Sequence, residues 1–229
     1  MFDKNKCWYK NVCSLFNTSE CYRGCERYLE FYHLIEGSKL PIKYQNVGNL
    51  KPEVIDENSF LKLNEIKNNI LDYVNEGENV YMYSKNCGNG KTSWAAKILL
   101  KYFDLIWSGN GLRDRGLFIH VPTFLRDRKT NINKNSKSFL DFEEKIKYVD
   151  FIIWDDIAVS ALSDFDHDTL LSYIDGRINQ MKFNIFTGNL NSDSLFEKLG
   201  GRLHSRIFSN SLTVEFKGQD RRFNRKGKK

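Results

Sequence analysis

The chain has 229 residues, of which 41% are hydrophobic and 28% charged, and its formal net charge is +6. This much apolar material can bury a core, which excludes wholesale disorder and fibrous architectures. Residues 217–229 contain seven basic side chains and one acidic side chain, so this segment accounts for the whole net charge. We expect a basic tail that either binds nucleic-acid phosphates or only keeps the chain solvated.

No apolar run approaches the roughly 20 residues that a membrane-spanning helix needs, and the first residues lack a hydrophobic signal core. We therefore expect a cytoplasmic chain without a membrane partner. The length suits one domain of ordinary size with a small appendage. We divide the chain into a cysteine-rich N-terminal module with a linker, residues 1–50, and a larger domain, residues 51–229, that ends in the basic tail.

Four of the five cysteines, Cys7, Cys13, Cys21 and Cys25, lie near the N-terminus. As thiolates they could bind a tetrahedral Zn²⁺, which would allow a segment too small for its own core to fold. We predict zinc, and the alternatives are free thiols, an iron–sulfur cluster, or His33 in place of one ligand. Nearby aromatic residues form either a small core or a protein-binding face: Trp8, Tyr9, Phe16, Tyr22 and Tyr28.

Beyond the cysteines, hydrophobic periodicity predicts alternating strands and helices, which is typical of a parallel sheet covered by helices on both faces. A helix over 26–35 and a linker over 37–52 precede this alternation. The other predicted helices cover residues 59–74, 91–103, 139–148, 169–180, 194–199 and 202–208. The predicted strands cover residues 80–83, 117–121, 151–154, 184–187 and 212–216.

The strongest motif is Ser-Lys-Asn-Cys-Gly-Asn-Gly-Lys-Thr at 84–92, between the first of these strands and its helix. Glycines let the backbone N–H groups surround a phosphate, and the helix N-terminus adds positive potential. Lys91 would reach the β- and γ-phosphates of a nucleotide, and Thr92 would bind Mg²⁺. Lys85 replaces the usual first glycine, which we expect to be tolerated. The expected nucleotide-binding residues are Asn86, Cys87, Gly88, Asn89, Gly90, Lys91, Thr92 and Ser93.

Further polar residues follow the later strands, and open α/β sheets bind ligands at that end of their strands. We expect Asp155 to bind Mg²⁺ and Asp156 to orient or deprotonate an attacking water. Asn189 could position the same water. Arg202 and Arg206 lie four residues apart on one helical face and could neutralise phosphoryl charge in a neighbouring subunit's site.

Together, these motifs resemble the AAA+ ATPases of the initiator and helicase-loader branch, especially loaders of the DnaC/DnaI type, over about residues 60–222. The resemblance implies a P-loop αβα sandwich with a five-stranded parallel sheet and no helical lid. It implies Walker A at residues 88–92, Walker B at Asp155 and Asp156, and sensor 1 at Asn189. Arg206 would be the arginine finger acting in trans, with Arg202 close by. Arg177 is a further candidate interface arginine.

The resemblance also implies an ATPase that binds ATP and Mg²⁺, self-associates, and is slow without a partner. Such a protein loads a replicative hexameric DNA helicase and has single-stranded DNA as a further partner. Its N-terminal module would bind the helicase, in a bacterium or a phage-infected cell; some loaders of this type bind zinc there. The alternatives are an IstB-like transposition helper ATPase and a non-catalytic adaptor that binds zinc and nucleic acid.

Overall fold

The structure, a computed structural model, describes residues 4–7, 10, 15–22, 24–48, 50–131, 136–157 and 162–220. Eight α-helices and five β-strands lie within these residues. The helices are α1 (Glu26–Gly37), α2 (Glu57–Asn68), α3 (Ile70–Glu76), α4 (Lys91–Ile106), α5 (Val121–Asn131), α6 (Lys137–Tyr148), α7 (Asp164–Asn179) and α8 (Ser192–Phe208). The strands are β1 (Asn79–Tyr83), β2 (Gly116–His120), β3 (Phe151–Asp155), β4 (Phe183–Gly188) and β5 (Ser211–Glu215).

The five strands form one parallel sheet in the order β2-β3-β4-β1-β5. The predicted five-stranded parallel α/β fold is therefore confirmed. Strand β4 lies between β1 and β3, so the carboxyl ends of these three strands meet at one edge of the sheet. This order decides which of the predicted site residues can meet.

Successive side chains of each strand point to opposite faces of the sheet, and the core is divided accordingly. In β3, Phe151 and Ile153 belong to a hydrophobic cluster with α1, α2 and α4. Ile152 and Trp154 belong to a second cluster with α5, α7 and α8. The sheet is therefore covered on both faces, as the near-continuous apolar strands predicted.

The N-terminal helix α1 is part of the first cluster, into which it buries Phe31, Leu34 and Ile35. The backbone N–H of Phe118 in β2 donates to the carbonyl of Ser38, at 2.7 Å. Residues 26–40 therefore pack on the main domain. The division of the chain at residue 50 stays a prediction.

Two predicted helices differ from the structure, and one helix of the structure was not predicted. The helix over 59–74 is wrong in part, because Asn69 interrupts it (φ −105°, ψ 23°) and separates α2 from α3. Helix α7 begins at Asp164 rather than 169, since Ser163 and Asp166 form a capping box there. Helix α5 was not predicted. It buries only Val121, Phe124 and Leu125, too few apolar positions for a clear helical period.

Candidate nucleotide-binding site

The loop after β1 has the backbone that its glycines predicted. Gly88 (φ 71°) and Gly90 (φ 106°) adopt left-handed conformations, which non-glycine residues rarely do, and Gly90 directly precedes α4. A Cβ atom on Gly88 would overlap the carboxylate of Asp220, so this position needs glycine for two reasons. The first turn of α4 thus opens onto the loop, where its N–H groups favour an anion.

Lys91, in the first turn of α4, lies at the centre of a group of neutral oxygens. Its side-chain nitrogen donates to Oδ1 of Asn189 at 3.1 Å, and to the carbonyl of Asn86 and Oδ1 of Asn89 at 3.4 Å each. Lys91 is only 6% exposed. The structure therefore brings together two predicted site residues, Lys91 and Asn189, that are 98 residues apart in the chain.

Asp155 forms the second part of the site. Its Oδ1 accepts hydrogen bonds from Thr92 at 2.8 Å and from Thr187 at 2.7 Å. Burial raises the pKa of Asp155, and the nearby carboxylate of Asp156 raises it further. The hydrogen bonds from Thr187 and Thr92 lower this pKa, but the effect of burial is larger. Carboxylate and hydroxyl oxygens are the ligands that Mg²⁺ prefers, so this donor set fits a magnesium ion.

Asp156 continues the chain in a left-handed conformation (φ 58°), which turns it away from the direction of β3. Its Oδ2 lies 3.5 Å from Nε2 of His120, and Nδ1 of His120 is 2.8 Å from the hydroxyl of Thr123. The side chain of Asp156 is 37% exposed, so solvent reaches it. A half-exposed carboxylate beside the buried Asp155 could accept a proton from water.

Sequence reasoning missed three groups at this edge. Thr187 binds both Asp155 and the backbone N–H of Asp156 (3.1 Å). His120 is the partner of Asp155 in the β2–β3 register. Both are polar residues near the ends of apolar strands, and this pattern can be seen in the sequence. The third group, Asp56, is fully buried and accepts from the backbone N–H groups of Lys217 (2.7 Å) and Gly218 (3.1 Å).

These contacts hold the segment after β5 against the phosphate loop. Nδ2 of Asn86 donates to the carbonyl of Gly218 at 3.1 Å, and Asp220 lies beside Gly88. Residues 216–220 therefore form one wall of the site. The rest of the predicted basic tail, 221–229, lies outside the described residues.

The predicted arginines lie on α8, beyond a kink at Gly200 (φ 72°, ψ 161°). Arg202 and Arg206 are both exposed. Nε of Arg206 lies 2.6 Å from Oδ1 of Asp175 on α7. A role for these arginines in a neighbouring subunit's site stays a prediction.

The prediction that Arg177 is an interface arginine is wrong. Arg177 is 1% exposed and donates to the carbonyls of Ile146 and Val149 at 2.8 Å and to Oδ1 of Asn184 at 2.7 Å. Burial lowers its pKa to about 9. This guanidinium holds α6, α7 and β4 together inside the domain, and it cannot reach a second subunit.

The predicted zinc site has no support in the structure. Cys7, Cys21 and Cys25 are free thiols, and Cys13 lies outside the described residues. Within the described ranges, no group of three or more His, Cys, Asp or Glu residues could hold a metal ion. The described cysteines therefore do not fit a tetrahedral zinc centre.

The other cysteine, Cys87, is exposed in the phosphate loop. Asn86 is exposed as well, whereas Asn89 is buried and Thr92 and Ser93 are half-buried. The side chain of Asn89 donates to the hydroxyl of Ser84, a bond that holds the loop closed.

Among the described helices, none has both the length and the hydrophobicity to cross a membrane.

Neither a family model nor a curated protein matches the sequence. Solved structures do. The crystal structure of the DnaC helicase loader matches with a TM-score of 0.65 at 20% identity, over 77% of this chain and 100% of that chain. A structure of DnaI matches with a TM-score of 0.62 at 19% identity, over 77% of this chain and 94% of that one.

The replication initiator DnaA, bound to AMPPCP and single-stranded DNA, matches with a TM-score of 0.62 at 16% identity. That match covers 80% of this chain and 53% of the DnaA chain. At these identities the matches establish the fold. The chain therefore shares its fold with the DnaC helicase loader and with DnaI, in agreement with the resemblance that its motifs predicted.

Proposed function

We propose that this chain is an ATP-dependent loader of a replicative hexameric DNA helicase. The observation that carries the proposal is a pair of contacts at the carboxyl edge of the sheet: Lys91 donates to Asn189, and the next residue, Thr92, donates to Asp155. Residues drawn from three strands converge on one loop whose backbone suits phosphate. This convergence favours a working nucleotide site over a non-catalytic adaptor with a vestigial loop.

In the proposed reaction, Lys91 exchanges its neutral oxygen partners for the β- and γ-phosphates of ATP, because a charge-assisted hydrogen bond is stronger than a neutral one. Thr92 and Asp155 would hold Mg²⁺, which when bound neutralises phosphoryl charge. Asp156 orients the attacking water and takes its proton, and the amide of Asn189 positions that water. Hydrolysis is slow in a lone protomer, since Arg206 acts on a neighbour's ATP.

The helicase contact is assigned to the N-terminal region. Of the aromatic residues predicted to form a small core or a protein-binding face, Tyr22 is 60% exposed, and Trp8 and Tyr9 lie outside the described residues. Leu29 and Tyr32 of α1 are each 45% exposed as well, which supports the protein-binding face. Tyr28 stacks on Tyr32, with ring centroids 5.8 Å apart. Exposed apolar side chains grouped on one short segment are typical of protein contacts. Zinc is not part of this proposal.

Single-stranded DNA is assigned to the AAA+ domain and its basic tail. A structural neighbour, DnaA, has been solved with both a nucleotide analogue and single-stranded DNA. The first residues of the tail, 217–220, are part of a wall of the nucleotide site. This adjacency supports control of DNA binding by nucleotide state.

The test uses the full-length protein with its helicase. We expect Lys91→Ala to weaken ATP binding about 10- to 100-fold, the worth of a charge-assisted bond, and to abolish helicase loading onto single-stranded DNA. Asp156→Asn should retain binding and lose turnover. Lys101→Ala on the same helix is the matched control, since Lys101 pairs only with the nearby Asp104 in the described chain. Normal ATP binding and loading by Lys91→Ala would refute the proposal.

An IstB-like transposition helper ATPase would use the same site. A pull-down with purified helicase and with purified transposase separates the two functions. Retention of the helicase, dependent on the exposed Tyr22, Leu29 and Tyr32, supports the loader. Retention of the transposase alone would replace it.

A further inference from the structure

Arg206 already has a charged partner within its own chain. Its Nε lies 2.6 Å from Oδ1 of Asp175, and the two side chains are 46% and 34% exposed. Helices α7 and α8 pack against each other below this pair through Ile174 and Leu203, both fully buried. The ion pair therefore lies at the outer edge of a rigid helix contact, where the guanidinium remains accessible.

The way in which Asp175 engages Arg206 leaves most of the guanidinium available. A guanidinium has one donor on Nε and four on its two terminal nitrogens, in a fixed planar arrangement. Asp175 occupies the Nε side. Among the described residues, no partner occupies either terminal nitrogen. The contact is an ion pair without hydrogen-bond geometry, since Oδ1 of Asp175 has no hydrogen-bond partner among the described residues. It restrains the guanidinium by charge attraction, while the terminal nitrogens can still bind two oxygens of one phosphoryl group.

We propose that Asp175 is a positioning residue for Arg206. It restrains the guanidinium near the position that a neighbouring subunit's phosphoryl group needs, so less side-chain freedom is lost when two subunits meet. The proposal rests on the proposed function, in which Arg206 acts in trans. Asp175 touches no nucleotide, and its whole effect on turnover passes through Arg206.

A surface ion pair with no role in catalysis would show the same distance between Nε of Arg206 and Oδ1 of Asp175. Such pairs contribute little to stability. The two roles differ in what a substitution changes. A purely structural pair would affect the unfolding of the protein and would leave turnover per folded molecule unaltered. A positioning pair lowers kcat and leaves the affinity of the protomer's own phosphate loop for ATP unaltered.

The experiment measures ATP turnover against protein concentration, together with the Kd of a fluorescent ATP analogue. We expect Asp175→Asn to lower the plateau kcat roughly two- to tenfold without changing the Kd. Asp175→Glu, which keeps the charge, should recover most of the loss. Asp168→Asn is the matched control: it removes the same charge from α7 at a residue that is 82% exposed and pairs only with His167 among the described residues.

A double-mutant cycle tests whether the effect passes through Arg206. We expect Arg206→Ala to lower kcat by about 1,000-fold or more, as loss of an arginine finger does, and Asp175→Asn to cause no further loss in that background. Equal losses in both backgrounds, or no loss with Asp175→Asn alone, would overturn the role of Asp175. Unaltered turnover by Arg206→Ala would instead overturn the arginine finger itself, so the two failures are distinguishable.

Discussion

Two carboxylates at opposite ends of strand β3 have opposite surroundings. Asp150 directly precedes the strand, and two cations bind it: Arg115 at Oδ2 and Lys182 at Oδ1, the latter at 3.0 Å. Asp155 ends the strand and accepts hydrogen bonds from hydroxyls, and in the described chain it has no ion pair. Burial raises the pKa of Asp155, whereas hydrogen bonds from Arg115 and Lys182 outweigh burial and hold the pKa of Asp150 below its usual range.

The difference separates a structural cluster from the candidate nucleotide site. At the amino edge of the sheet, the charge of Asp150 is neutralised within the chain, and the buried Arg177 is satisfied by carbonyls. At the carboxyl edge, the described hydrogen bonds of Lys91 and Asp155 are to carbonyl, amide and hydroxyl oxygens. Mg²⁺ and a triphosphate would bring charges opposite to those of Asp155 and Lys91.

The largest effect is expected at the amino edge. Arg177→Met removes the donors for the carbonyls of Ile146 and Val149 and for the side chain of Asn184, all within the core. We expect the free energy of unfolding to fall by about 3 kcal/mol, since buried acceptors lose their partners. Urea denaturation measures this loss. Arg126→Met, at an arginine that is 72% exposed, should change stability by no more than about 0.5 kcal/mol.

Asp150→Asn tests the neutralised carboxylate directly. At pH 7 we expect a loss of about 2 kcal/mol, because Arg115 and Lys182 are left without their counter-charge. The pKa of Asp150 is lowered on folding, so its contribution is present above the unfolded value of 3.8 and is lost as the pH falls below it. Wild type and variant should therefore converge in stability on acidification. A constant difference across that window would show that the carboxylate charge is not what stabilises this edge.

Asp155→Asn should raise the free energy of unfolding, whereas Asp150→Asn should lower it. The pKa of Asp155 is raised on folding, so above its unfolded value of 3.8 the native state retains a proton that the unfolded chain releases. Stability is therefore lost as the pH rises through the folded pKa, and near neutral pH the charge opposes folding. Removing it should raise the free energy of unfolding of the nucleotide-free protein by about 1 kcal/mol, while Mg²⁺-dependent ATP binding is lost. Thermal melts with and without Mg²⁺·ATP measure both effects, and destabilisation by the variant would contradict this interpretation.

The smallest effect concerns a structural group at the functional edge. The hydroxyl of Tyr81 donates to the carbonyl of Leu190 at 2.6 Å, and burial raises its pKa well above the usual value of 10.0. Tyr81→Phe should cost about 1 kcal/mol at pH 7. Because the folded pKa is raised, this contribution is present below pH 10 and is lost as the pH rises further. Tyr32→Phe, at a residue that is 45% exposed, is the control for denaturation between pH 9 and 11.

Much of the site could be predicted because its signals are local. The glycines of the phosphate loop require left-handed backbone, and the apolar strand before Asp155 predicts a carboxylate at the sheet edge. Thr187 and His120 were missed because their importance depends on which strands are neighbours. Arg177 was misassigned, since an arginine that satisfies buried carbonyls has the same appearance in a sequence as an exposed one.

By itself, the sequence determined the number of strands, the phosphate loop and the residues that follow each strand, because hydrophobic period and glycine backbone are properties of short segments. The tertiary structure decided the rest. Placing β4 between β1 and β3 brought Thr92, Thr187 and Asp155 into contact. Placing β3 between β2 and β4 gave Asp150 its two cations, and the packing of α6 and α7 on the sheet buried Arg177. Strand order and helix packing arise from contacts between distant parts of the chain, and those contacts determine whether a charge is neutralised or left for a ligand.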